Sequence, residues 1–149
     1  MLVHEMTREE CVAVVSAGRL GHLACARDNR PYVVPIHYAF ADNYLYSFSM
    51  PGQKVDWMRT NPTVCVQVGT FSVHRDWRSV VISGLYEELP ESQNSGLARE
   101  HAWFLLQQHA NWWEPGALKP TLQPATEIPS HLFYRIGVES ITGRRTADG

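Results

Sequence analysis

The amino-acid sequence predicts a mainly β fold, an antiparallel β-barrel with a few helices. Two turn-forming pairs, Asp28-Asn29 and Asp42-Asn43, separate segments of strand-like composition. Apolar and polar residues alternate through 63–71, TVCVQVGTF, as they do in a half-buried strand. An open sheet of about five or six strands would expose its edges, so a closed or split barrel is the economical arrangement.

Length and composition indicate one globular domain over residues 1–149. The 149 residues are 44% hydrophobic and 19% charged, and a chain of this size buries about 70% of its surface, enough for one core. The net charge of −2 and the pI of 6.4 give no general attraction to nucleic acid or to acidic membranes, so neither is an expected partner. No apolar run approaches the roughly 20 residues that cross a bilayer. The charged N-terminus lacks an apolar signal core, so we expect a cytoplasmic protein.

Neither the cysteines nor the histidines have the spacing of a local metal site, since no histidine lies two or four residues from another. The alternative is a metal site assembled from distant histidines. Cys11, Cys25 and Cys65 are widely spaced and match neither a disulfide framework nor a CxxC motif. Their neighbours are apolar, so small buried side chains are expected.

A capping motif predicts where the first helix begins. Thr7 and Glu10 have the spacing of a capping box, so a short helix begins after Thr7. Gly18 is expected to end this helix in a left-handed conformation.

Three strands and a short helix come next. The strands are predicted over 18–26, 31–41 and 44–49, and the turns between them indicate an antiparallel meander. The short helix is predicted over 53–59, and an Asn-Pro pair closes it.

The second half of the chain holds two further strands after 63–71. One is predicted over 77–89, where Gly84 indicates a bulge or a close backbone approach, and the last over 131–145. Between them lie a long helix over 91–111 and a loop over 112–130 with four prolines. The expected apolar stripe of the helix is Leu97, Trp103, Phe104, Leu105 and Ala110.

Two features of the segment 31–68 suit a planar, phosphorylated ligand. Pro35 cannot donate to a ladder, so an open strand edge is expected there, and such an edge can hydrogen-bond a heterocycle. The alternative is an edge strand that only guards against aggregation. Between Ser47 and Lys54 the chain combines two hydroxyls, a Pro-Gly turn, a helix start and a cation, each of which suits phosphate. The alternative is a surface helix with a solvated lysine.

Two stretches of the chain resemble those of a known protein family. The run PYVVPIHYAFADNYLYSFSMPGQKVDWMRTNPTVCVQV, followed by WRSVVISGLYEEL, resembles the pyridoxamine 5'-phosphate oxidase-like superfamily. It is most similar to the small FMN-binding members that include the nitroimidazole-resistance proteins. The resemblance covers roughly residues 5–145, and its most specific part runs from Leu45 to Val64.

The resemblance implies an FMN-binding split barrel that forms a homodimer, with FMN at the subunit interface. It implies that the backbone of Val34, Pro35 and Ile36 runs along the isoalloxazine edge. The implied phosphate site consists of Ser47, Ser49, Gly52, Gln53 and Lys54. Trp77 and Ser79 are implied to approach the same flavin from the partner subunit; otherwise the Trp77 indole is a plug for the barrel end.

The expected function is that of a flavin-dependent oxidoreductase of unknown substrate, because the flavin carries the redox chemistry. His37 is the candidate for proton transfer, and the alternative is an ordinary barrel histidine. Gln53 stands where the nitroimidazole-resistance proteins carry a histidine and where true pyridoxamine phosphate oxidases carry an arginine, so neither of those activities is expected. The alternatives are a non-catalytic flavin, deazaflavin or haem carrier or sensor, and a structural barrel that has lost its ligand.

Overall fold

The computed structural model describes residues 2–72, 76–90, 96–108 and 132–147. These residues form eight strands and three helices in one antiparallel sheet system. In chain order the elements are β1 (Leu2–Glu5), α1 (Arg8–Ala17), β2 (Leu20–Arg27), β3 (Arg30–His37), β4 (Ala39–Ala41), β5 (Tyr44–Ser49), α2 (Gln53–Thr60), β6 (Thr63–Phe71), β7 (Trp77–Glu88), α3 (Gly96–Leu106) and β8 (Leu132–Ala147).

The strand order is that of a split barrel, as the sequence predicts. The order is β3-β2-β6-β7-β8-β5-β4, and β1 pairs with the far end of β8. The two ends of this order, β3 and β4, are neighbours along the chain. In the described part of the chain no ladder joins these ends, so the sheet is not closed.

The meander predicted over residues 19–49 is interrupted at Tyr38. The predicted strand 31–41 is two strands: β3 pairs back with β2, and β4 pairs forward with β5. The Tyr38 side chain is fully buried, and its hydroxyl donates to the Val15 carbonyl at 2.7 Å. The chain turns inward here because Tyr38 packs into the core at the end of α1, and this divides the strand.

The ends of α1 confirm one prediction and correct another. The Thr7 hydroxyl accepts from the Glu10 N–H at 3.2 Å, so the predicted cap forms. Gly18 is not left-handed; its φ of −83° and ψ of 165° are extended. Glycine is required there by a close approach, because a Cβ would lie 2.5 Å from the Tyr38 hydroxyl.

The core has two parts. The larger one fills the sheet interior and includes Leu23, Val66, Ile82 and Ile136. The smaller one lies under α3 and includes Phe48, Leu89, Ala102, Leu106 and Phe133.

The predicted apolar stripe of the long helix is partly wrong. Leu97 is 77% exposed and Phe104 59% exposed, and the buried residues of α3 are Arg99, Ala102 and Leu106. The periodicity does not reveal which face meets the sheet, and here the face that carries Arg99, Ala102 and Leu106 packs on it. Ala110 and the loop 112–130 lie outside the described residues.

Gly84 marks a bulge, as predicted. The register between β7 and β8 shifts between Ser83 and Gly84. A Cβ on Gly84 would collide with the Gly137 carbonyl and would lie 2.9 Å from Ile136 Cγ2. The strands therefore approach closely only because this residue has no side chain.

The cysteines behave as small core side chains. Cys11 and Cys25 are buried, Cys65 is partly buried, and all three are free thiols. Within the described ranges, no three His, Cys, Asp or Glu side chains come together as a metal site. In those same ranges no helix combines the length and apolar character needed to span a bilayer.

Candidate functional site

The junction between β5 and α2 brings together the residues predicted to bind phosphate. β5 ends at Ser49, a Met-Pro-Gly turn follows, and α2 begins at Gln53. Gly52 is the N-cap and has no side chain, so no side-chain cap satisfies the N–H groups of the first turn. Because these groups also carry the positive end of the helix dipole, the junction favours an anion.

Ser47 and Ser49 lie at this junction, but their hydroxyl protons are already used by the backbone. Both side chains are buried. Ser47 Oγ donates to the His37 carbonyl at 2.6 Å, and Ser49 Oγ donates to the Met50 carbonyl at 2.7 Å. The two hydroxyls therefore fix the path of the chain, and the Lys54 amine and the backbone N–H groups of α2 remain as donors for an anion.

Lys54 is a partly buried cation without an acidic partner. The described residues place no carboxylate in an ion pair with it. Burial lowers the pKa of the Lys54 amine from its usual range, and the nearby Cys25 thiol acts weakly in the opposite direction. Gln53 beside it is exposed.

Cys25 lies close enough to Lys54 to act on its pKa, and Tyr134 lies near Cys25. Burial raises the pKa of the Cys25 thiol, although the Lys54 charge opposes this, so the thiol is neutral. Burial also raises the pKa of the Tyr134 phenol to about 12, with the Ser47 hydroxyl beside it acting in the opposite direction. The chain thus provides no negative charge to Lys54 from this side.

The edge strand β3 reaches the same region. β3 lies at one end of the strand order, and Pro35 on it faces His22 of β2. Val34 and Ile36 alternate toward the interior, while Pro35 is exposed. The Ser47–His37 hydrogen bond ties the end of β3 to β5, so the backbone of Val34–Ile36 and the junction at Lys54 belong to one region. The His37 side chain is partly buried at the end of β3.

Trp77 and Ser79 lie elsewhere, in a groove of about 530 Å³. Two strands, β2 and β6, separate β3 from β7 in the sheet. The Trp77 backbone N–H donates to Thr146 Oγ1 at 3.0 Å, which anchors the start of β7 on β8. The groove is lined by Glu5, Met6, Trp77, Ser79, Val81, Ile141, Thr142, Gly143 and Arg144.

Sequence reasoning missed several of these groove residues. Arg144 faces Ser79 across β7 and β8, and Glu5 of β1 faces Arg144. Only the β7–β8 and β1–β8 registers bring these residues together, and local patterns do not encode a register. Gln67 was missed for the same reason, although its outward position in β6 follows from the alternation of TVCVQVGTF.

A family model decides the relationship of the chain. The model described as pyridoxamine 5'-phosphate oxidase matches residues 7–145. The chain belongs to this family. The match extends from the cap of α1 almost to the end of β8, so Lys54, the segment Val34–Ile36, Trp77 and Ser79 all lie inside it.

Three known proteins resemble the chain over almost its full length. A crystal structure of an FAD-binding protein from Mesorhizobium loti is 48% identical, covers 99% of this chain and 100% of its own, and has a TM-score of 0.83. The uncharacterized protein RA0666 of Rhizobium meliloti (strain 1021) is 51% identical over 100% of this chain and 99% of its own length. The FAD binding protein from Mycobacterium smegmatis shares the fold, with a TM-score of 0.66 at 16% identity, over 99% of this chain and 100% of its own.

Proposed function

We propose that the protein is a flavin-binding homodimer that acts as an FMN-dependent oxidoreductase. One observation carries the proposal: the Lys54 amine is partly buried at an uncapped helix start, and the described residues give it no carboxylate. A buried cation without a partner is costly, so such a site is adapted to an anionic group brought by a ligand. The phosphate of a flavin nucleotide has this character.

The other half of the ligand fits the edge of β3. The isoalloxazine ring is planar and carries carbonyl and ring-nitrogen groups that pair with backbone N–H and C=O groups. The Ser47–His37 hydrogen bond ties the end of β3 to β5, so a ring along the free edge of Val34–Ile36 would extend its phosphate toward the junction at Lys54. The 48% identical protein from Mesorhizobium loti is named as FAD-binding, which supports a flavin over haem.

A homodimer explains why the groove of Trp77 and Ser79 lies apart from Lys54 in one chain. The outward face of the sheet carries exposed apolar residues: Leu20 is 49% exposed, Val33 60%, Val81 41% and Leu85 44%. A second copy that covers this face would bury them and could bring its groove to the Lys54 region. Each flavin would then contact both subunits.

When bound, the flavin supplies hydride or electron transfer, and the protein sets its position and solvent access. His37, at the end of the edge strand, is the candidate for proton transfer to the ring. We assign FMN as the cofactor because the features at Lys54 account for one terminal phosphate.

The test is to denature the purified protein and identify the released molecule by chromatography and mass spectrometry. FMN, together with a dimer of about twice 16.9 kDa in sedimentation, is the expected result. FAD would refute the choice of FMN and keep the flavin. A Soret band or a deazaflavin would refute the flavin assignment, and sedimentation of a monomer alone at micromolar concentration would refute the shared site. If nothing is released, titration of the protein with FMN and riboflavin decides between weak binding and none.

A further inference from the structure

Three polar side chains form a line across the outward face of the sheet, from β2 to β7. His22 Nδ1 lies 3.3 Å from Gln67 Oε1. Gln67 Nε2 donates to Ser79 Oγ at 3.1 Å. His22 and Gln67 are direct cross-strand partners, and Ser79 is diagonal to Gln67 because Gln67 faces Val81.

This line joins the two separate parts of the candidate site. At one end His22 faces Pro35 on the edge strand β3. At the other end Ser79 lines the groove of about 530 Å³. The line therefore begins beside one predicted flavin contact and ends at another.

A glycine two residues along β6 leaves room for the Gln67 amide. A Cβ on Gly69 would lie only 2.8 Å from Gln67 Nε2. The amide occupies the space that a side chain at residue 69 would fill. Gly69 thus permits the orientation in which Gln67 reaches Ser79.

The hydrogen bonds give the line a direction. The Nδ1–H of His22 donates to the Gln67 carbonyl oxygen both in the neutral Nδ1–H tautomer and in the protonated ring. The Gln67 NH₂ group is thereby turned toward Ser79, whose oxygen accepts. A serine hydroxyl that accepts one hydrogen bond still has its own proton to donate, and Ser79 lies where that proton can reach the groove.

We propose that His22 and Gln67 are positioning residues that hold the Ser79 hydroxyl as a hydrogen-bond donor toward an acceptor atom of the flavin. The inference rests on the proposed function, since the flavin is its ligand. The acceptor is of the carbonyl or unprotonated ring-nitrogen type that oxidised isoalloxazine presents. Neither His22 nor Gln67 touches the ligand in this arrangement, because both act through Ser79.

The test reverses the direction of the line with Gln67→Glu. A carboxylate accepts from both neighbours, so the Ser79 proton turns to residue 67 and is lost to the ligand. We expect the dissociation constant of FMN to rise about threefold to tenfold, the effect of one hydrogen bond. Because the new charge could act on the phosphate directly, the same substitution is also made in a Ser79→Ala background.

Coupling between the two sites is the decisive result. If Gln67 acts through Ser79, Gln67→Glu weakens FMN binding more in the wild-type background than in Ser79→Ala. Ser79→Thr, which keeps the hydroxyl, should retain most of the affinity and the flavin reduction potential. Ser83→Ala, on the outward face of the same strand but outside the line, is the matched control and should change neither.

The outcomes separate the two proposals. Equal fold-changes in both backgrounds, with FMN still bound by the wild type, overturn the positioning role and leave the proposed function intact. Failure of the wild type to bind either FMN or FAD overturns the proposed function, and the positioning role falls with it. Thermal unfolding of each variant shows whether a loss of affinity reflects a loss of fold.

Discussion

The substitution Lys54→Met is the most direct probe of the candidate site. It removes the charge at the start of α2 and keeps most of the aliphatic stem. A hydrogen bond to a charged group contributes about 1.5–3 kcal/mol. The dissociation constant of FMN should therefore rise about tenfold to 150-fold, whereas riboflavin, which lacks the phosphate, should bind both proteins equally.

The same variant should keep or gain stability without ligand. Folding lowers the pKa of the Lys54 amine, so the charged form is disfavoured in the folded state, and its removal takes away an unfavourable term. The gain should be at most about 1 kcal/mol because the side chain is only partly buried. A residue held in the fold by an ion pair would show the opposite sign.

The assay is a fluorescence titration with FMN and with riboflavin, together with thermal unfolding of the ligand-free protein. Arg59→Met is the matched control, because Arg59 lies on the same helix but is paired with Glu88 and half exposed. It should leave FMN affinity unchanged. Wild-type FMN affinity in Lys54→Met would refute the phosphate assignment, and an equal loss of riboflavin affinity would show that Lys54 supports the fold rather than the phosphate.

Three further outcomes are expected. FMN affinity should fall as the pH rises through the lowered pKa of Lys54, and Lys54→Arg should flatten this profile; a profile equally steep for riboflavin would contradict the explanation. Trp77→Phe should weaken FMN about twofold to tenfold by titration and reduce quenching between indole and flavin, with the dimer retained in sedimentation; a lower melting temperature with intact affinity would indicate a structural plug instead. Gly84→Ala should destabilise the protein by about 1–3 kcal/mol in denaturant unfolding, because its Cβ meets the Gly137 carbonyl; an unchanged midpoint would refute the close packing at this bulge.

Local chemistry in the sequence predicts local structure well in this chain. Asp28 and Asn29 adopt positive φ values of 52° and 62°, the hairpin geometry that such residues favour. Thr7 caps α1 as its spacing with Glu10 predicts. These features depend on residues a few positions apart, so the sequence contains all the information that determines them.

Features that depend on distant partners were not predictable in the same way. The division of the predicted strand 31–41 arises because Tyr38 is bonded to Val15 across the core. Glycine at position 18 is required by the close approach of that same tyrosine, and not by a left-handed end to the helix. In both cases a tertiary contact of Tyr38 overrides the conformation that the local sequence favours.

The candidate site shows the same limit. The residues between Ser47 and Lys54 were identifiable from composition, but the sequence does not show that the serine protons are used by backbone carbonyls. It also does not show that Gln67 reaches Ser79, since this contact requires the register of β6 on β7. A motif therefore indicates where an anion binds, whereas the groups that orient it come from the topology.

The ion pairs of the described residues make the contrast at Lys54 clear. Arg135 is paired with Glu87 and Arg145 with Glu10, although both arginines have exposed surface. Lys54 is partly buried, burial lowers the pKa of its amine, and the described residues place no carboxylate in an ion pair with it. A lysine is more stable when water or a carboxylate surrounds its charge than when the charge is desolvated and unpaired. The position of Lys54 is therefore not that of an ordinary surface lysine. The unpaired charge lowers the stability of the ligand-free protein, and a bound anion would raise the stability of the folded state. This combination is what a site adapted to an anionic ligand is expected to show.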